Sequence, residues 1–207
     1  MILVLLPLWI IVMAFKKKLE EHFKQFDASP ILFIGSGLSR RYMGVNCWED
    51  LLKQFSETIG ISHVKLKTQS NGDLTVYAQH LAKIYSEKWW DTDEGKTLSQ
   101  EKEHFLINEQ SALKVSISEF INEAHNKITD DVNLIHEIEL LAKANIDGVI
   151  TTNWDMFLEQ QFSKFTTFIG QDGLIAGRSH GIAEIYKIHG CCSEPNSLVL
   201  TKRDYDE

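Results

Sequence analysis

The sequence predicts an α/β fold with a mainly parallel sheet flanked by helices. Three observations predict it. The run Ile31-Leu32-Phe33-Ile34 is wholly apolar and bounded by Pro30 and Gly35, the pattern of a strand buried on both faces. It hands over at once to a Gly-rich turn and a helical segment. Further on, short β-branched runs alternate with helical stretches, as expected where helical crossovers join parallel strands.

Before the first strand, residues 14–26 place Phe15, Leu19, Phe23 and Phe26 near one face of a helix, and residues 27–30 break it. After the Gly-rich turn, Asn46 is expected to cap a helix carrying Glu49 and Asp50 in its first turn. Residues 62–72 are polar and read as a loop. Residues 74–90 read as an amphipathic helix, 91–103 as a charged connector, and 105–128 and 132–144 as two more helices. The last repeats Leu134, Ile138 and Leu141 at i, i+4 and i+7. The span from about 60 to 146 is thus a helical insertion. A second strand is expected at 148–152, a helix at 156–162, and strands at 165–169, 182–188 and 198–200. Thr201 and Asp204 then have the spacing of a capping box that opens a helix.

Composition narrows the function. The 207 residues are 43% apolar and 24% charged, which excludes wholesale disorder. With 21 Lys and Arg against 29 Asp and Glu, the formal charge is -8. An acidic chain does not coat nucleic acid. Three Cys are too few for a disulfide scaffold or a four-Cys zinc site. Residues 1–15 carry no charge and stop at Lys16-Lys17-Lys18. The stretch is shorter than the roughly 20 residues of a membrane-spanning helix. It also lacks the leading positive charge of a signal peptide. Two readings stand: translation that starts at Met13, or a short anchor with the Lys cluster on the cytoplasmic side. Both leave residues 16–207 as one cytoplasmic domain.

Three short motifs fall where a predicted strand ends. In Gly35-Ser36-Gly37-Leu38-Ser39 the glycines allow close backbone approach to a pyrophosphate. The plain alternative is a tight strand-to-helix turn. In Thr151-Thr152-Asn153-Trp154-Asp155 an Asn amide can orient a water or a ribose hydroxyl; alternatively, Asn153 caps the next helix and Asp155 sits in its first turn. In Lys187-Ile188-His189-Gly190 the imidazole can take a proton near neutral pH, whereas a lone His is more often a surface or packing residue. The other seven His, and Cys47, Cys191 and Cys192, read as packing or surface positions.

In that order, FIGSGLS, TTNWD and KIHG resemble the sirtuin-like NAD-consuming family. WEDLL after the turn and SLVLTKRDYDE at the end resemble its bacterial members. The resemblance implies a Rossmann-like, dinucleotide-binding core with a helical module. It implies that Gly35, Ser36, Gly37 and Ser39 line the NAD phosphate region. It further implies that Thr152, Asn153 and Asp155 approach the nicotinamide ribose, with Asn153 and His189 catalytic. The chain cannot build the four-Cys zinc ribbon of the deacylase branch, so no zinc is expected. It also has Arg40-Arg41-Tyr42-Met43 where deacylases carry Pro-Asp-Phe-Arg. It is therefore similar to the zinc-less NAD-hydrolysing modules of bacterial anti-phage defence. The resemblance implies NAD as substrate and a homo-oligomer or regulatory partner protein that restrains activity. Family members continue past the equivalent of Glu207, so the domain is expected to be incomplete at its C-terminal end. The competing expectations are an NAD-dependent protein deacylase and a non-catalytic module that binds NAD or ADP-ribose.

Overall fold

The computed structural model describes residues 8–125, 129–170 and 182–206. Four strands, β1 (Ile31–Ile34), β2 (Gly148–Thr151), β3 (Thr166–Ile169) and β4 (Glu184–Lys187), form one sheet in the order β1-β2-β4-β3. Every pairing is parallel. The fold is therefore α/β and consistent with a Rossmann-like core. Register aligns Ile34 with Thr151, and Thr151 with Lys187. Three neighbouring strands thus end level, and the three predicted motifs leave from one rim of the sheet.

Helices α1 (Leu8–Phe23), α2 (Gly37–Met43), α3 (Trp48–Thr58), α4 (His63–Gln69), α5 (Leu74–Trp89), α6 (Asp93–Glu101), α7 (Ser111–His125), α8 (Val132–Ala142), α9 (Phe157–Gln161) and α10 (Lys202–Asp206) complete the described elements, with short 3-10 turns at Glu103–Phe105 and Pro195–Ser197. The sheet buries Ile34, Val149 and Ile185 against Ile146, Leu158 and Phe162. The larger core belongs to the helical module α3–α7, where Leu52, Tyr77, Leu81, Trp89 and Leu113 are fully buried. Cys191, Cys192, Leu198 and Leu200, which follow β4, join that same core. The segment after β4 therefore ties sheet and module together. The helix α1 shows the expected spacing, yet Phe15, Leu19 and Phe23 stay exposed, as do Ile31 and Phe33 of the edge strand β1.

Four local expectations are corrected. Residues 62–72 contain the helix α4. Ser62 caps it by accepting from Lys65 N, and a single residue, Leu66, supplies its buried face. One inward side chain leaves too little periodicity to read. Residues 91–103 contain α6, capped by Thr92, whose hydroxyl accepts from Gly95 N at 2.9 Å. Gly95 and Leu98 are its buried face, and a side chain at Gly95 would meet the Trp89 carbonyl at 1.9 Å. The capping position of α3 is held by Cys47, extended at φ -68° and ψ 165°, while the Asn46 amide donates to Gln54. Residues 198–200 lie outside the sheet. Leu198 and Leu200 point into the helical core, and Val199 N donates to the His189 carbonyl at 3.0 Å. The last turn follows the capping-box expectation: Asp204 accepts from Thr201 N at 2.8 Å and Asp204 N donates to Thr201 Oγ1.

The expected helix 105–128 begins at Ser111, and residues 126–128 lie outside the described residues, as do residues 1–7 of the apolar start and His180. Among the described residues no helix is long and apolar enough to cross a membrane.

Candidate active site

The level strand ends create the site. The chain leaves β1 through Gly35 and Ser36 into α2, leaves β2 through residues 152–156, and leaves β4 through Ile188 and His189. Ligands of open α/β sheets bind in the crevice outside such carboxyl ends. A cavity of about 230 Å³ lies there, lined by Ser36, Ser39, Thr152, Asn153, Asp155 and His189 together with residues of the helical module. Pockets that enclose a drug-sized ligand run from about 300 to 1,000 Å³. This cavity lies below that range and has room for part of such a ligand.

Side-chain hydrogen bonds fix the floor of the cavity. Asn153, 6% exposed, donates through Nδ2 to the Gly35 carbonyl at 3.1 Å and to Ser39 Oγ at 2.9 Å. Ser39 in turn donates to Asp155 Oδ2 at 2.5 Å. Asp155 Oδ1 accepts from Phe157 N at 3.0 Å, which holds the start of α9. Asn153 N donates to Thr151 Oγ1. The β1 and β2 turns are thus stitched together by Asn153, Ser39 and Asp155. With its donors used, Asn153 Oδ1 is left buried and without a partner. A buried unpaired acceptor costs about 1–3 kcal/mol, so this oxygen is primed to accept a hydrogen bond from a ligand or a water.

Beneath the rim, Lys187 is fully buried. Its ammonium donates to the Asp155 carbonyl and to Glu159 Oε1, the latter at 2.8 Å. Burial pulls its pKa down, but the carboxylate of Glu159 and other nearby groups carry it above the ordinary lysine value. The role of this lysine is to hold the β2–α9 loop from below.

His189 is half-buried, and burial lowers its pKa. The imidazole is therefore neutral at neutral pH. Gly190 fixes its place. The residue sits at φ +87°, and a side chain there would meet the Ser197 carbonyl at 2.1 Å. Cys192 N donates to the Trp154 carbonyl at 2.8 Å, which joins the turn after β4 to the turn after β2.

The structure brings together six of the eight sequence-predicted site residues as cavity lining. Gly35 takes part through its carbonyl. Gly37 faces a separate shallow depression with Arg40, Arg41 and Leu134. Sequence reasoning passed over Trp48, Trp154 and Tyr205, which also line the cavity. Trp154 lies inside the TTNWD motif and Tyr205 inside the final resembling segment, so both were visible but carried no evident chemistry. Among the described residues, no group of three or more His, Cys, Asp or Glu is placed to hold a metal ion. The two vicinal thiols are core residues, as expected.

Residues 147–207 match the family described as SIR2-like domain. The matched span runs from the residue before β2 to the C-terminal residue and contains Asn153, Asp155 and His189. It supports a sirtuin-like relationship for that part of the chain. The SIR2-like segment excludes β1 and the Gly-rich turn, which join it in space through Asn153 and Ser39. No curated protein matches the chain significantly.

Proposed function

We propose that this protein hydrolyses NAD at the bond between nicotinamide and ribose, and that it serves anti-phage defence by depleting NAD in the cytoplasm. The observation that carries the reading is that Asn153 and His189 line one cavity at the strand ends. The first offers an unpartnered buried carbonyl oxygen, and the second a neutral imidazole.

The chemistry suits those two groups. The leaving group is a pyridinium, so the C–N bond can break without a strong general acid. The electron pair goes to the ring nitrogen and neutral nicotinamide departs. The ribose carbon then carries oxocarbenium character, as in other glycoside cleavages. A water held by Asn153 Oδ1 attacks that carbon, and His189 accepts its proton. The products are nicotinamide, ADP-ribose and one proton. Ser39, Asp155 and Gly35 hold the Asn153 amide at the orientation this requires. The SIR2-like match over 147–207 supports an NAD-linked activity for the segment that contains both groups.

An unrestrained NAD hydrolase would be toxic to its own cell, so assembly or a partner protein is expected to restrain it there, a restraint from which the purified chain is expected to be free. The test is to mix purified protein with NAD and follow free nicotinamide. Release without any acylated peptide supports hydrolysis. Release only with such a peptide supports deacylation. Saturable ADP-ribose binding with no release supports a sensor.

A further inference from the structure

The helix α1 carries an apolar face that the rest of the fold leaves uncovered. Phe15, Leu19 and Phe23 recur every four residues and so form one stripe. They are 66%, 39% and 47% exposed. Among the described residues, none of the core clusters takes in a residue of α1. A helix of 16 residues is marginal on its own in water, and in proteins most helical stability comes from packing an apolar face. The stripe therefore calls for a partner.

The flanks of the stripe distinguish one partner from another. Lys16 and Glu20 stand one turn apart on the same flank, and Lys17 and Glu21 repeat that order on the far side. Within one chain the two pairs are loose, at 3.9 and 3.8 Å, with all four side chains more than half exposed. Such pairs contribute little to the isolated helix. An identical helix laid antiparallel reverses the order of charge. With the two-fold axis level with residue 18, Lys16 stands opposite Glu20 of the second copy, and Glu20 opposite Lys16 of the second copy. The same register staggers the apolar side chains by two residues, about 3 Å, along the seam. Phe15 then falls between Phe23 and Leu19 of the second copy, and Leu19 between Leu19 and Phe15 of the second copy. A parallel pair would set lysine against lysine and glutamate against glutamate on that flank. Two-fold dimers are built from self-complementary patches of this kind, and flanking charges set their orientation. An anionic membrane surface fits the helix less well, because Glu20 and Glu21 interrupt its lysines.

We propose that α1 joins two copies of this chain as an antiparallel helix pair, seamed by Phe15, Leu19 and Phe23 and oriented by Lys16 and Glu20. The pairing rests on α1 alone and is independent of the proposed NAD reaction. A single helix pair is small beside the roughly 1,200–2,000 Å² of a stable complex, so the dimer is expected to dissociate in the micromolar range.

Sedimentation velocity of the full chain over a concentration series tests it. The expected result is a monomer–dimer equilibrium. Leu19→Glu, at a position outside every core cluster, weakens the dimer by about tenfold or more. Lys16→Glu sets glutamate against glutamate at two symmetric places and weakens it by about tenfold. The charge swap Lys16→Glu/Glu20→Lys restores the parent affinity to within about threefold. Lys18→Ala removes the one like-charge pair that the register creates at the axis and tightens the dimer. A chain that stays monomeric at every concentration overturns the proposal. So does a dimer that Leu19→Glu leaves intact, or a charge swap that fails to rescue Lys16→Glu. Vesicles of phosphatidylcholine and phosphatidylserine test the other occupant: a monomer that sediments with them, and does so less after Lys18→Ala, assigns the stripe to a membrane and overturns the dimer.

Discussion

Asn153 Nδ2 donates to Ser39 Oγ at 2.9 Å across 114 residues of sequence. This bond joins the two turns that make the candidate site, and Ser39 passes it on to Asp155. Ser39→Ala deletes both links while leaving the backbone of α2 undisturbed. Loss of a buried hydrogen bond to a charged or amide partner costs about 1–3 kcal/mol. Urea denaturation is expected to show that loss, and nicotinamide release to fall with it. An unchanged midpoint would mean that the link between the turns does not support the fold.

The pH dependence follows from His189. Burial lowers its pKa, so the unfolded imidazole holds its proton more tightly than the folded one. Its contribution to stability is therefore fully present above the ordinary histidine value near 6.5 and is lost as the pH falls through the lower, folded value. Activity needs the neutral imidazole. The acid limb of kcat/KM should therefore lie below about 6.5 and be absent in His189→Gln. A limb centred above 7 contradicts this environment for His189.

Gly190 is required twice over, by its left-handed backbone and by the Ser197 carbonyl against it. Gly190→Ala forces the turn after β4 to move. The left-handed conformation alone costs about 1–2 kcal/mol for a residue with a Cβ. The variant is expected to melt lower and to lose activity out of proportion, because His189 precedes the glycine. A variant that is destabilised but fully active would show that the place of His189 does not depend on this turn.

Lys187 and Glu159 form an ion pair with side-chain exposures of 0% and 16%. Lys187→Met strands the carboxylate and removes the donor to the Asp155 carbonyl. Breaking a buried pair from one side typically costs about 3–5 kcal/mol. The double variant Lys187→Met/Glu159→Leu is expected to regain most of that. Thermal unfolding of the single and double variants checks it, and additive losses would exclude the coupling.

The legible parts of this protein are those with a local signal. The apolar run of β1, the β-branched run of β2 and the stretch ending at His189 were readable because strands and their turns are written in consecutive residues. The capping box of α10 was readable for the same reason. Helices α4 and α6 were not, because each buries only one or two side chains and owes its start to a single hydroxyl cap. Leu198 and Leu200 read as strand because an apolar run does not reveal whether it pairs or packs. The aromatic lining of the cavity was illegible for a different reason. Trp48, Trp154 and Tyr205 are far apart in sequence, and none alone carries an evident chemistry. The level strand ends place Trp154, the Asp204–Lys114 pair anchors the helix of Tyr205, and the start of α3 brings Trp48 to the same cavity.

The central claim is that Asn153 and His189 act together on the nicotinamide–ribose bond. Its most direct test is nicotinamide release from NAD by the purified full chain, by His189→Ala and by Asn153→Ala, each first shown by circular dichroism to keep the fold. Removing a positioned base costs about 10²–10⁴-fold in rate, so release by the parent and a loss of that order in both variants is the predicted result. Release at the parent rate by either folded variant would contradict the account.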